Sequence, residues 1–144
     1  DYRLSRNTLS DYLSVLSKLY LIENQEAYTF NLRSKDMVGK SPKRHFTDPS
    51  LACAALDITK DKLMNDIKTF GLMFEALVER DLKIYADSFN AKCYHYQDYQ
   101  NREVDSIIEL EDGNWCAFEI KLGANKIDEA AKNLLNLKRS IEEE

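Results

Sequence analysis

Turn formers, cross-linking residues and soft metal ligands are all scarce in this chain: four glycines, two prolines, three cysteines and two histidines among 144 residues. So little Gly and Pro, set against 44% hydrophobic and 31% charged residues, is the composition of a soluble globular protein. Cys53, Cys93 and Cys116 are odd in number and show no metal-ligand spacing, which favours buried thiols in a reducing cytoplasm. His45 and His95 stand isolated in the sequence and are poor candidates for a ligand or a base. No apolar run approaches the length of a membrane span, and no signal peptide opens the chain. A net charge of −5 and a pI near 5.1 oppose a protein that coats nucleic acid, though they leave room for a local basic patch. The length suits one ordinary domain, or a small one with part of a neighbour, and Asp at position 1 reads as a piece of something longer.

What is present falls into two halves with a seam at Asp57–Lys60, giving expected units 1–60 and 61–144. Ser5, Asn7 and Thr8 offer N-caps to an amphipathic helix carrying Leu9, Tyr12, Leu13, Leu16, Leu19 and Tyr20. Ala27–Phe30 and Lys43–Thr47 read as two strands of a hairpin. A helix followed by such a hairpin is the back half of a winged helix, with the front half missing. Arg33, Lys35, Lys40, Lys43 and Arg44 make the hairpin loop the most basic stretch of the chain. It is either a phosphate-contacting wing or a solvated tip. Gly39-Lys40-Ser41 imitates the end of a phosphate-binding loop, but position 34 is Ser and Pro42 stands where a helix should continue. No ATP site is expected in this chain.

Asp48-Pro49-Ser50 starts a short helix, with Asp as cap and Pro at the first helical position. The pattern then predicts one long helix from Asp61 to about Tyr85, its buried stripe formed by Leu63, Ile67, Phe70, Phe74, Leu77, Val78, Leu82 and Tyr85. Glu75 falls at the edge of that stripe and Glu79 further toward solvent, while Gly71 would permit close helix–sheet approach. Ala91–Tyr96 reads as a strand, and two more flank the turn at Glu111-Asp112-Gly113-Asn114. A last helix carries Ile127, Ala130, Ala131, Leu134, Leu137 and Ile141 on one face. The expected class is α+β, with three antiparallel strands between two helices.

The polar residues of the last hairpin point to chemistry. Alternation puts Glu119 and Lys121 side by side on one face, with Asp105 opposite on the neighbouring strand. Carboxylates and a lysine at a hydrophobic hairpin cost free energy unless paired or holding a cation. Glu75, Asp105 and Glu119-Ile120-Lys121 in this order resemble the PD-(D/E)XK nuclease superfamily in its Holliday-junction-resolvase-like form. Asn7–Leu13, Ser41–Asp48, Gly71–Glu75 and Arg102–Asp105 together resemble the uncharacterised C-terminal domain of prokaryotic AAA-type ATPases. Asp48-Pro49-Ser50 departs from that pattern, which usually has Asp-x-Gly there. The resemblance implies a restriction-endonuclease-like core after a truncated winged helix, and Mg²⁺ or Mn²⁺ held by Asp105, Glu119, the Ile120 carbonyl and Glu75. Lys121 would orient the attacking water or stabilise developing charge. DNA and an upstream ATPase domain are the implied partners, in the cytoplasm. The apolar face of Leu9, Leu13 and Leu16, left open in half a winged helix, separately predicts a dimer or tight packing against the nuclease-like half. The alternative is a non-catalytic interaction module that keeps a relic of the site.

Overall fold

Polar caps start the helices where the sequence supplies Ser, Asp or Thr, as the computed structural model shows over residues 4–30, 41–98 and 102–142. Ser5 accepts from the Thr8 N–H to open α1 (Arg6–Lys18), and Asp48 accepts from the Ser50 N–H ahead of α2 (Pro49–Ala55). Thr59 does the same for α3 (Lys60–Asn65) and Asp66 for α4 (Ile67–Ser88). Each cap satisfies an orphan N–H and contributes about 1 kcal/mol. The Asp66 cap also corrects the single long helix: non-helical backbone at Asp66 divides the stretch into α3 and α4.

The upstream strands are β1 (Ile22–Gln25) and β2 (Lys43–Phe46), antiparallel with Glu23 opposite His45 and Gln25 opposite Lys43. The expected first strand, Ala27–Phe30, therefore lies too late in the sequence. After β1 the backbone crosses to a second sheet, where the His95 N–H donates to Glu26 O at 3.0 Å and the Tyr28 N–H to His95 O at 2.7 Å. This splice forms a parallel bridge between Ala27 and His95.

The second sheet has the order β3 (Lys92–Gln97), β4 (Glu103–Glu109), β5 (Trp115–Phe118), all antiparallel. Gly113, at φ +83, makes the β4–β5 turn that the Asp-Gly pair foretells. Tyr94 pairs with Ile107 but Tyr96 with Val104, so Asp105 and Ser106 together oppose the single residue His95. That is a β-bulge, and it interrupts the strict alternation of β4 at Asp105. Val104 and Ile107, three apart, consequently share one core cluster with Tyr28 and Leu137.

That cluster lies between the sheet and α5 (Ile127–Glu142), joined by Leu134 and Ile141. A second cluster, Ala86, Ala91 and Ile108 with Leu82 and Phe118, joins the opposite face to α4. The sheet thus sits between two helices in an α+β arrangement. The buried line of α4 differs from the expected stripe. Ile67 and Tyr85 are 62% and 61% exposed, whereas Glu79 and Ala86 are the buried residues of the helix. Fully buried Ala86 brings α4 onto the sheet, and the upstream hairpin covers the turn that holds Glu79. Gly71 plays no part in close approach, since a Cβ there would meet nothing within 4 Å. No helix among the described residues is long and apolar enough to cross a membrane.

Candidate carboxylate–lysine site

Three of the residues singled out by alternation converge at the end of β5. Lys121 Nζ stands 3.0 Å from Glu119 Oε1 and 3.2 Å from Asp105 Oδ2. Asp105 Oδ2 also accepts from the Ile120 N–H at 2.7 Å, which ties the β4 bulge to the chain leaving β5. The Glu119 side chain is only 6% exposed. Its Oε1 accepts from Asn133 of α5 at 3.3 Å, while its buried Oε2 has no hydrogen-bond partner. Burial works against the Lys121 charge, but Glu119 and Asp105 more than offset it and raise its pKa. Lys121 is therefore a cation at neutral pH.

A second group faces the site from α4. Lys43 of β2 reaches Glu79 Oε1 at 2.7 Å and Glu75 Oε1 at 3.2 Å. His45 Nδ1 lies 3.1 Å from Glu79 Oε2, and its Nε2 lies 2.9 Å from Gln25 Oε1. Gln25 is oriented by its own amide, which donates toward Ser106 Oγ at 3.5 Å. Burial pushes Glu79 up to about 7; Lys43 opposes the rise, and the charges of Glu75 and Asp105 add to it. Burial, with the Lys43 charge beside it, pushes His45 down to about 4. The geometry agrees with a neutral ring. Gln25 Oε1 requires a donor at Nε2, leaving Nδ1 to accept the proton that Glu79 carries. Lys43, like Lys121, is raised by its carboxylates against the effect of burial.

Sequence reasoning placed Glu79 toward solvent and His45 among the isolated residues; the structure buries Glu79 against a half-buried His45. The missed signal is non-local, because the partners of Glu79 arrive from a strand 36 residues upstream. Lys43, expected on the basic loop, turns inward, while Arg44 is exposed. Arg33, Lys35 and Lys40 lie outside the described residues. Lys43 and Asp105 line one open cleft of about 270 Å³ with Ser41, His95 and Gln97. No three His, Cys, Asp or Glu side chains stand together at metal-binding spacing among the described residues. Between Asp105 and Glu119 it is the Lys121 ammonium that supplies positive charge. The unpartnered Glu119 oxygen is nevertheless what a hard-cation site would offer, and oxygen donors are the ligands Mg²⁺ and Mn²⁺ prefer.

A family model described as a domain of unknown function, DUF4143, matches residues 70–144, and another domain of unknown function, DUF8612, matches residues 1–62. No curated protein and no solved structure matches the chain.

Proposed function

This chain belongs to the DUF4143 family, and we propose that it is a nuclease-like module of an AAA-type ATPase, hydrolysing nucleic-acid phosphodiesters with a divalent cation. The observation that carries this reading is the meeting of Asp105, Glu119 and Lys121, with one buried Glu119 oxygen left without a partner. It supports the PD-(D/E)XK assignment and a restriction-endonuclease-like core. Asp105, Glu119, the Ile120 carbonyl and Glu75 would hold Mg²⁺ or Mn²⁺. When bound, the ion would polarise the phosphodiester and lower the pKa of attacking water.

The chain's own residues have narrower tasks. Lys121, held as a cation, stabilises negative charge developing on the phosphoryl oxygens and does not act as a base. Asp105 fixes the Ile120 N–H and so the backbone between the two motif residues. Asn133 holds one oxygen of Glu119, leaving the other for the cation. Helix α1 and the β1–β2 pair upstream would serve as part of a winged helix that positions DNA. The test is cleavage of plasmid and branched DNA in Mg²⁺ or Mn²⁺ by the wild type and by Lys121→Ala. Activity that disappears in a folded Lys121→Ala supports the reading; equal activity in both sinks it.

A second reading, a non-catalytic interaction module, is favoured by apolar side chains left in solvent. Leu9, Tyr12 and Val15 of α1 and Leu19 just after it are exposed, as are Leu72, Ile84 and Tyr85 of α4. Exposure of this extent marks interfaces. In this reading the chain self-associates or docks its ATPase, and light scattering reports a species larger than one chain.

A further inference from the structure

Two open clefts flank the start of β4. One, of about 270 Å³, lies toward the upstream hairpin, with Ser41, Lys43 and Gln97 in its wall. The other, of about 330 Å³, lies toward α5 and is walled by Arg102, Asn133, Asn136 and Leu137. Glu103 and Val104 border both. Asp105 lines the first cleft and Glu119 the second, and Lys121 Nζ stands within 3.2 Å of both carboxylates. The Lys121 ammonium therefore sits where the two clefts meet. Each volume is near the roughly 300 Å³ at which a pocket begins to hold a small ligand, the scale of one nucleotide. The walls are polar. Gln97 in one cleft and Asn133 and Asn136 in the other offer amides, which both donate and accept. Each rim carries a cation, Lys43 held by Glu79 and Arg102 held by Asp98, and these remain 35% and 36% exposed. On α5, Lys132 and Arg139 stand four residues before and three after Asn136, so all three share one side of the helix, and all are exposed.

We propose that the two clefts carry one single-stranded polynucleotide past Lys121, a nucleotide in each, with Lys132, Asn136 and Arg139 holding the strand along α5. This rests on the phosphodiester reading above and names its substrate class. Shape selects the single strand. Passage from one cleft to the other turns around two residues of one β-strand, whereas duplex DNA is stiff over about 150 base pairs. A single strand bends freely, and its unpaired bases present edges that the amides of both walls can meet. Charge places the affinity at the ends of the path. Asp105 and Glu119 repel phosphate at the junction and already occupy Lys121. The exposed cations of α5 have the freedom to neutralise phosphates that the centre lacks.

The test is fluorescence anisotropy of the full chain with short labelled oligothymidylate, oligouridylate and a duplex of equal length, in chelator so that nothing is cleaved. One of the two single strands binds about ten-fold or more tighter than the duplex, the worth of one charge-assisted hydrogen bond, and the tighter of the two identifies the strand as DNA or RNA. Lys132→Gln combined with Arg139→Gln weakens that binding. It also flattens the slope of log affinity against log salt by about 1.4, since a single strand releases about 0.7 counterion for each phosphate neutralised. A merely structural role for these residues would leave the slope unchanged. Asn136→Trp, at an exposed helix position, fills the α5 cleft and removes the preference for single strands. Circular dichroism checks that each variant folds. A duplex bound as tightly as either single strand, or unchanged single-strand affinity in folded Asn136→Trp, overturns the proposal and leaves hydrolysis to the plasmid assay. A folded wild type that binds neither single strand overturns it as well, whether or not plasmid is cut. Single-strand binding that the variants weaken, with no cleavage of any substrate in Mg²⁺ or Mn²⁺, supports the strand path and sinks the hydrolytic reading alone.

Discussion

Lys121 and Lys43 reach their carboxylates by opposite routes. Lys121 stands two residues from Glu119, and Asp105 comes to both through direct strand pairing, Ser106 facing Phe118 in the ladder. Lys43 reaches Glu79 from a separate two-stranded sheet, 36 residues away in sequence. The first cluster is a property of one hairpin. The second exists only once the upstream half has docked on α4. A polar group built within a hairpin is braced by backbone; one built across a docking surface depends on every contact that seats the surface.

Substitutions can pull this contrast apart. Ile107 of β4 is fully buried, and Ile107→Ala leaves a cavity that costs about 2–5 kcal/mol, read from the denaturant midpoint. The Lys121 cluster hangs on that strand, whereas the Lys43 cluster is tied to it only through Gln25 and Ser106. Asp105→Ala removes the acceptor of the Ile120 N–H and one partner of Lys121, and is expected to cost about 1–3 kcal/mol in the same measurement. Lys43→Met costs less, about 1 kcal/mol, because Lys43 borders an open cleft from which water can replace it on Glu79. If Lys43→Met is instead as damaging as Asp105→Ala, the docked cluster is as firmly braced as the hairpin one.

The Glu79–His45 contact sharpens the comparison through pH. Glu79, raised to about 7, keeps a proton in the folded state that the unfolded chain has released, so its contribution falls as pH rises from about 4.5 to 7. His45, lowered to about 4, refuses a proton that the unfolded chain binds, so its contribution rises with pH between about 4 and 6.5. The two slopes oppose each other in the wild type. Glu79→Gln leaves the His45 slope alone, and stability then rises with pH over that window by up to about 1.4 kcal/mol per pH unit. Denaturant titrations at pH 4.5, 5.5 and 6.5 read the difference. The smallest effect is expected at Arg44, exposed on β2, where Arg44→Ala changes stability by no more than about 0.5 kcal/mol.

How much of this was legible depends on how locally each feature is encoded. The β4–β5 hairpin and the Glu119–Lys121 pair follow from alternation and an Asp-Gly turn, which are properties of neighbouring residues. The caps at Ser5 and Asp48 are equally local. The Asp66 cap was also present in the sequence, but apolar periodicity running across it favoured one helix over two. The bulge at Asp105 and Ser106 carries no glycine or proline to announce it, and only the pairing of His95 with two residues reveals it. The burial of Glu79 could not be read from the helix pattern at all. A carboxylate facing a sheet is acceptable only with Lys43 and His45 over it, and those partners are set by how the upstream hairpin seats.

The divalent-cation site proposed at Asp105 and Glu119 is tested most directly by an anomalous difference map from crystals grown in Mn²⁺. The account predicts a peak touching the carboxylates of Asp105 and Glu119 and the Ile120 carbonyl, with Lys121 released from its bridge between the two acids. A map without a peak there, with Lys121 still bound to both carboxylates at a Mn²⁺ concentration that supports binding elsewhere on the molecule, would contradict it.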